Sequence, residues 1–366
     1  MTTNASFLSR REFLATATAA ASAASALQLA AADSVQGTPA VLSTGGRIDC
    51  QSHLFCPQLV ELMEGRTSDP RVFTRDGVRI IQMGDWLRRI PPHYMDVSVK
   101  LATMDANGIA MTALSINDPG PEWFGADGPA VAQMLNDFVA GIAREHPTRF
   151  FGLCVLPLQN MRASIIELER CVQKLGMKGI LLYTNLAGRF PDEQEFRSLF
   201  ARAVELDVPI LLHPAKPITT DFVKGYEMTS SLGNMFDNTI ALTRIIMSGI
   251  LDEFPQLKLV CPHLGGTLPY IVGRLDHQTQ VLKRGPEHLT RSPSEYLKSI
   301  WLDVVSPLPL AIKFGHDFMG ADRLLFSSDH PWVEPSVIIG CVKGADLSDG
   351  DQEKIFSANA RKLFRL

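Results

Sequence analysis

From Arg47 onward the chain alternates between two hydrophobic rhythms. Short apolar runs bounded by Gly or Pro read as strands, and longer stretches with apolar residues three or four apart read as helices. The first run, Arg47–Pro57, enters from Gly45 and Gly46 and stops at Pro57. A long irregular stretch follows to Pro92, punctuated by Asp69-Pro70, Asp76-Gly77 and Pro91-Pro92. Strands are then predicted at Ile109–Ile116, Phe150–Leu156, Gly179–Tyr183, Pro209–His213, Leu257–His263, Ser299–Val305 and Leu324–Ser328. Helical spacing fills each gap: Met95 to Asn107, Gly128 to His146, Ser164–Leu175, Glu193–Leu206, Thr239–Glu253, Leu268–Leu282 and Pro309–Met319, with Glu353–Leu366 closing the chain. Strictly alternating units imply a parallel sheet covered by helices. Eight of them predict an α/β fold, a (β/α)8 TIM barrel with long insertions after strand 1 and before strand 6. A doubly wound open sheet is the alternative, but the chain has no Gly-rich dinucleotide fingerprint.

Composition agrees with a soluble, well-cored protein. Of 366 residues, 46% are hydrophobic and 20% charged. A net charge of −4 leaves no basic footprint, which excludes nucleic acid as a partner. Only the N-terminus stands apart. Arg10-Arg11 precedes a soft Ala-rich stretch ending at Ala30-Ala31-Ala32, the pattern of a twin-arginine (Tat) export signal. Residues 1–32 are thus expected to be a signal peptide and 33–46 a linker, with the barrel domain over 47–366. No membrane span remains after signal removal, and the mature protein is expected to be periplasmic or secreted. The six cysteines show no C-x-x-C spacing, and Cys154 and Cys261 fall inside strand-like runs. Buried free thiols are expected.

Three polar residues, Asp49, Gln51 and His53, share one face of the first strand, because side chains on a strand repeat every second residue. Burying them is costly unless something there requires them. Barrel enzymes carry their chemistry at strand C-termini. Besides Gln51 and His53, those positions hold His213, His263 and Asp329. Imidazole nitrogens with a carboxylate oxygen suit a borderline divalent ion. Among the other histidines, His93 lies in the first insertion where it can line a pocket, and His330 points away from its neighbour Asp329.

These residues sit in Asp49-Cys-Gln-Ser-His53, His213-Pro214, His263-Leu-Gly-Gly266 and Ser328-Asp329-His-Pro331. In that order and at those strands, they resemble the amidohydrolase-related family, and most closely its aminocarboxymuconate-semialdehyde decarboxylase branch. The resemblance runs from Arg47 to the end of the chain. It implies a metal centre with His53, His213 and Asp329 as ligands and Gln51 beside them. His263, with Asp329, would form the catalytic pair, His263 acting as acid/base toward a metal-bound water and substrate protons. It also places Arg79 where the branch holds a substrate carboxylate; by itself, Arg79 reads equally as a solvated loop residue. A homodimer is a family expectation.

Gln51 departs from the family pattern, which has His there and, in some decarboxylases, Glu. Either its amide oxygen ligates, shifting preference from Zn²⁺ toward Mn²⁺, or the site works without metal. The resemblance implies a carboxy-lyase that decarboxylates an unsaturated or aromatic carboxylic acid. The same residues would also serve a hydrolase of a lactone or amide. A periplasmic binding protein with a decayed site is a third reading, opposed by the retention of four of the five site positions.

Overall fold

The computed structural model describes residues 46–366. The expected signal peptide, and the linker up to its last residue, lie outside the described residues. Strand β1 (Arg47–Leu54) leads into a helix at Pro57–Glu64, and then into three antiparallel strands, β2 (Arg71–Arg75), β3 (Val78–Met83) and β4 (Trp86–Arg89). The stretch that sequence reads as irregular is therefore a helix and a small sheet. Asp76-Gly77 is a two-residue turn with both φ values positive (52° and 74°) joining β2 to β3. Asp-Gly between strand-forming runs is a strong hairpin signal, and it lies in plain sight.

The remaining strands are β5 (Ile109–Ile116), β6 (Phe150–Cys154), β7 (Gly179–Tyr183), β8 (Ile210–His213), β9 (Leu259–Cys261), β10 (Trp301–Asp303) and β11 (Leu324–Leu325). They run in the order β1-β5-β6-β7-β8-β9-β10-β11, paired in parallel throughout. The last strand is short, yet the chain beyond it stays against β1. Cys50 N–H donates to Phe326 O (2.9 Å), Asp329 N–H to Gln51 O (3.0 Å) and His53 N–H to His330 O (2.8 Å). These bonds close the barrel and place Asp329 beside Gln51 and His53.

Strands of this kind are apolar on both faces because helices cover the outside. Gly179–Tyr183, for example, is buried at every residue. The helix at Gly128–Glu145 supplies one cover, burying Val131, Leu135, Val139 and Ile142 at three- and four-residue spacing. Asp96 caps the helix at Val97–Ala106 through Ser98 N–H (2.8 Å). All six cysteines are buried free thiols. Among the described residues, no helix is long and apolar enough to cross a membrane.

Candidate metal and acid–base centre

Three barrel strands deliver one cluster. His53 near the end of β1, His213 ending β8 and Asp329 after β11 bring ligand atoms within 4.8 Å of one another. Their hydrogen bonds fix which atoms face inward. His213 Nδ1 donates to Pro214 O (2.7 Å), which leaves Nε2 without a proton. That Nε2 is buried and has no partner. His53 Nδ1 lies 2.8 Å from Ser115 Oγ, whose own proton goes to Ser52 O (3.4 Å). The hydroxyl can therefore accept from Nδ1, which turns His53 Nε2 toward Asp329 Oδ1. Burial, then the neighbouring charge of His213, lowers the His53 pKa to about 4, so the ring is neutral at ordinary pH.

Asp329 Oδ1 lies 3.3 Å from His53 Nε2 and 3.8 Å from His213 Nε2. Two imidazole nitrogens and a carboxylate oxygen thus converge, and His213 Nε2 among them is buried without a partner; this donor set fits a divalent ion. Gln51 is also at the centre. Its Nε2 donates to Asp329 Oδ1 (3.1 Å), and its backbone carbonyl accepts from Asp329 N–H.

His263 follows β9 and stands on the other side of the carboxylate, with Nε2 3.6 Å from Asp329 Oδ2. Burial disfavours its charged form, but the hydrogen bond and charge of Asp329 and the charge of Asp303 outweigh it and raise the pKa. Asn238 lies on the ring's far side, with Nδ2 3.0 Å from Nδ1 and its Oδ1 unpartnered. The amide can serve either ring form, donating to neutral imidazole or, turned over, accepting from imidazolium. Asp303, at the end of β10, anchors the backbone by accepting from His263 N–H (2.7 Å) and Val305 N–H (3.1 Å).

His263, Leu264, Gly265 and Gly266 all have positive φ, between 54° and 74°. Two non-glycine residues in that region mark backbone strain held by its surroundings. At Gly266 the reason is close packing: an added Cβ would fall 2.4 Å from Met235 O and 2.5 Å from Thr239 Oγ1. The glycine pair therefore makes a tight strand-to-helix turn. Thr267 N–H is already satisfied by Thr239 Oγ1 (2.9 Å).

Beneath the cluster lies a polar layer. Asp49 accepts from Ser328 N–H (2.9 Å) and Ser328 Oγ (2.5 Å), fixing the residue before Asp329. Burial raises the Asp49 pKa to about 6, against the hydrogen bond from Ser328 and the charge of Lys100. Lys100 Nζ is buried against Ser52 Oγ (2.7 Å) and His330 Nδ1 (2.6 Å). Burial lowers its pKa to about 7. Burial and then the charge of Lys100 hold His330 at about 3, so its ring is a neutral acceptor turned toward the lysine.

Arg79 is not brought to this centre. It lies on β3 close to the exposed hairpin turn, and its Nε is held by Glu64 Oε1 (2.7 Å). Its place at the cavity is taken by Arg88 on β4. That guanidinium lies 4.3 Å from the Trp86 ring and 5.5 Å from the Trp332 ring, and it donates to Asp118 Oδ1 (2.6 Å) and Asp118 O (2.7 Å). His93 packs edge-on against Tyr94 and does not line the cavity. The cavity itself has a volume of ≈ 1470 Å³, with His213, His263 and Asp329 at its floor and Arg88, Tyr94 and Trp332 on one wall.

A family model described as Amidohydrolase matches residues 48–366. The chain belongs to the amidohydrolase family. Among its curated relatives is 2-amino-3-carboxymuconate-6-semialdehyde decarboxylase of Dictyostelium discoideum, 27% identical over 77% of this chain and 80% of that one. Gamma-resorcylate decarboxylase of a Polaromonas species is 30% identical over 80% of this chain and 94% of that one. A solved dihydroxybenzoic acid decarboxylase from Polaromonas, with bound manganese and the inhibitor 2-nitroresorcinol, superposes with a TM-score of 0.74. It is 25% identical and covers 88% of this chain and 98% of that one. The decarboxylase branch suggested by the sequence motifs is thus the branch its relatives occupy.

Several residues of this amidohydrolase site escape sequence reading. Asp303 carries a usable signal, a carboxylate ending a strand-like run. Asn238, Ser115 and Lys100 carry none, since each becomes relevant only through the histidine it touches.

Proposed function

We propose that this chain is a divalent-metal-dependent decarboxylase of an aromatic or unsaturated carboxylic acid. The observation that carries the proposal is the convergence of two imidazole nitrogens, one of them buried and unpartnered, and the Asp329 carboxylate at the cavity floor. The decarboxylases among its relatives support the reaction class. His53, His213 and Asp329 would hold the ion, with Gln51 able to offer its amide oxygen. When bound, the ion supplies Lewis-acid charge opposite the substrate's oxygens. An oxygen from Gln51 favours Mn²⁺ over Zn²⁺.

The residues then divide the work. Arg88 and the indoles of Trp86 and Trp332 border the space where the ring lies. His263 delivers a proton to the carbon that bears the carboxylate. The bond to the carboxyl carbon breaks and CO₂ departs, leaving its electron pair with the carbon that takes the proton. Asp329 Oδ2 orients His263 Nε2 and favours its protonated form.

The test is turnover of hydroxybenzoates, unsaturated acids and lactones by chelated and Mn²⁺-restored enzyme, with direct CO₂ detection. Metal-dependent CO₂ release from an acid is expected. Lactone or amide hydrolysis with no CO₂ from any acid would replace this reading by the hydrolase. The paired Arg10-Arg11 further supports export of the mature protein, to be tested by changing both to Lys; normal export of that variant would refute it.

A further inference from the structure

The cavity is larger than a single-ring acid requires. Pockets for drug-sized ligands run to ~300–1,000 Å³, and this one holds ≈ 1470 Å³. Its charged side chains, Arg88, Arg89, Asp118 and Asp329, come from β4 and from chain that follows β5 and β11. The helix at Pro309–Met319 adds none to the lining, and it buries Ile312, Gly315 and Met319. Leu310 and Phe314, one turn apart, line the cavity instead, and they remain 72% and 45% exposed. A helix with its core face already filled has no folding reason for a second apolar stripe. Tyr270, on the helix at Leu268–Asp276, lines the same cavity and is 83% exposed.

The trough is also kept open. A Cβ at Gly315 would fall 2.8 Å from Leu264 Cδ2, so Leu264 lies flat against a helix that offers it a gap. A side chain there would drive Leu264 into the cavity.

Resting on the decarboxylase reading, we infer that the substrate is a ring or unsaturated acid bearing an extended apolar arm, alkyl or aryl. Its carboxylate lies at the metal–His263 floor, and its arm runs along Leu264, Leu310 and Phe314. The arm would expel water from the open side of the cavity, which a compact acid leaves wet.

The test uses 2-hydroxybenzoates with unbranched alkyl chains from methyl to hexyl, together with the phenols left by their decarboxylation. Phenol binding is measured by calorimetry and acid turnover by CO₂ release. Burial of a methylene is worth about fourfold, and in a half-open trough about twofold per carbon is expected. Gly315→Val should abolish this gradient, and Leu310→Glu should cut the hexyl-to-methyl ratio at least tenfold. A flat series in the wild-type protein overturns the inference even where CO₂ is released. A chain-length gradient with no CO₂ from any acid leaves the arm site standing and refutes the decarboxylase reading instead. Conversion of an oligomer to monomer by Leu310→Glu, alongside a flat wild-type series, would make this wall a subunit interface and overturn the arm site.

Discussion

His263→Ala and Asp329→Ala should separate proton transfer from metal retention. The Asp329 carboxylate divides its two oxygens: Oδ1 faces His53 Nε2 (3.3 Å), His213 Nε2 (3.8 Å) and Gln51 Nε2 (3.1 Å), while Oδ2 faces His263 Nε2 (3.6 Å). His263 lies outside the three-residue cluster, so its removal takes no ligand atom away. A general acid–base group contributes ~10²–10⁴-fold in rate, or roughly 3–5.5 kcal/mol of barrier. His263→Ala should lose that much in kcat/KM while metal affinity changes less than tenfold, ~1.4 kcal/mol. Asp329→Ala removes the only charged member of the cluster and should lose both. Metal content after dialysis, competition against a fluorescent chelator, and CO₂ release would be followed in parallel on both variants. Equal metal loss in the two would show that His263 is a ligand. Turnover within tenfold of wild type in metal-loaded His263→Ala would remove it from proton transfer.

Gln51→His should tighten divalent binding at least tenfold, and more for Zn²⁺ than for Mn²⁺, because imidazole suits zinc better than an amide oxygen does; unchanged competition affinities would exclude Gln51 from the metal's ligands. Arg88→Met should raise KM strongly, whereas Arg79→Met, which breaks only a half-exposed pair with Glu64, should leave kinetics within twofold; the reverse ranking would return Arg79 to the site. Glu122 tests burial chemistry away from the metal: its Oε1 is enclosed without a partner, and burial, followed by the charge of Asp118, raises its pKa from 4.5 to about 8. The fold favours the neutral acid, so this contribution is complete below pH ~4.5 and is lost as pH rises through 8, with an upper bound of ~3 kcal/mol by pH 7. Glu122→Gln should therefore match wild type in urea midpoint at pH 5 and exceed it at pH 8, and parallel midpoints across that range would refute the buried-acid assignment.

The barrel was legible because its signal is repeated. Strands such as Gly179–Tyr183 and Ile109–Ile116, and the helix at Pro309–Met319, occur at the bounds their apolar runs and Gly or Pro stops predict. The meeting of His53, His213 and Asp329 was legible because strand ends in a barrel converge, whatever their distance in sequence. The substrate wall was not. Arg79 and Arg88 belong to one antiparallel sheet, and which of them reaches the cavity depends on hairpin register and on capture by a neighbour. Glu64 takes the first, while Trp86, Trp332 and Asp118 hold the second. Partners from three distant segments decide the matter, and no local pattern encodes such a choice.

Gln51 shows the same dependence within the centre itself. Its amide nitrogen donates to Asp329 Oδ1, the oxygen that both His53 and His213 face. That donation is favourable only while the carboxylate's charge is otherwise unanswered on that side. A divalent ion among His53, His213 and Asp329 reverses the local field, repelling the amide N–H group and attracting its carbonyl oxygen. A half-turn of the amide serves both conditions, with the backbone of Gln51 still pinned to Asp329 N–H. Imidazole cannot make that exchange at fixed protonation, nor can carboxylate. Glutamine in β1 would therefore give a centre that stays hydrogen-bonded without metal and gains an oxygen donor with it. The expected cost is weaker binding than two imidazoles on the same strand would give.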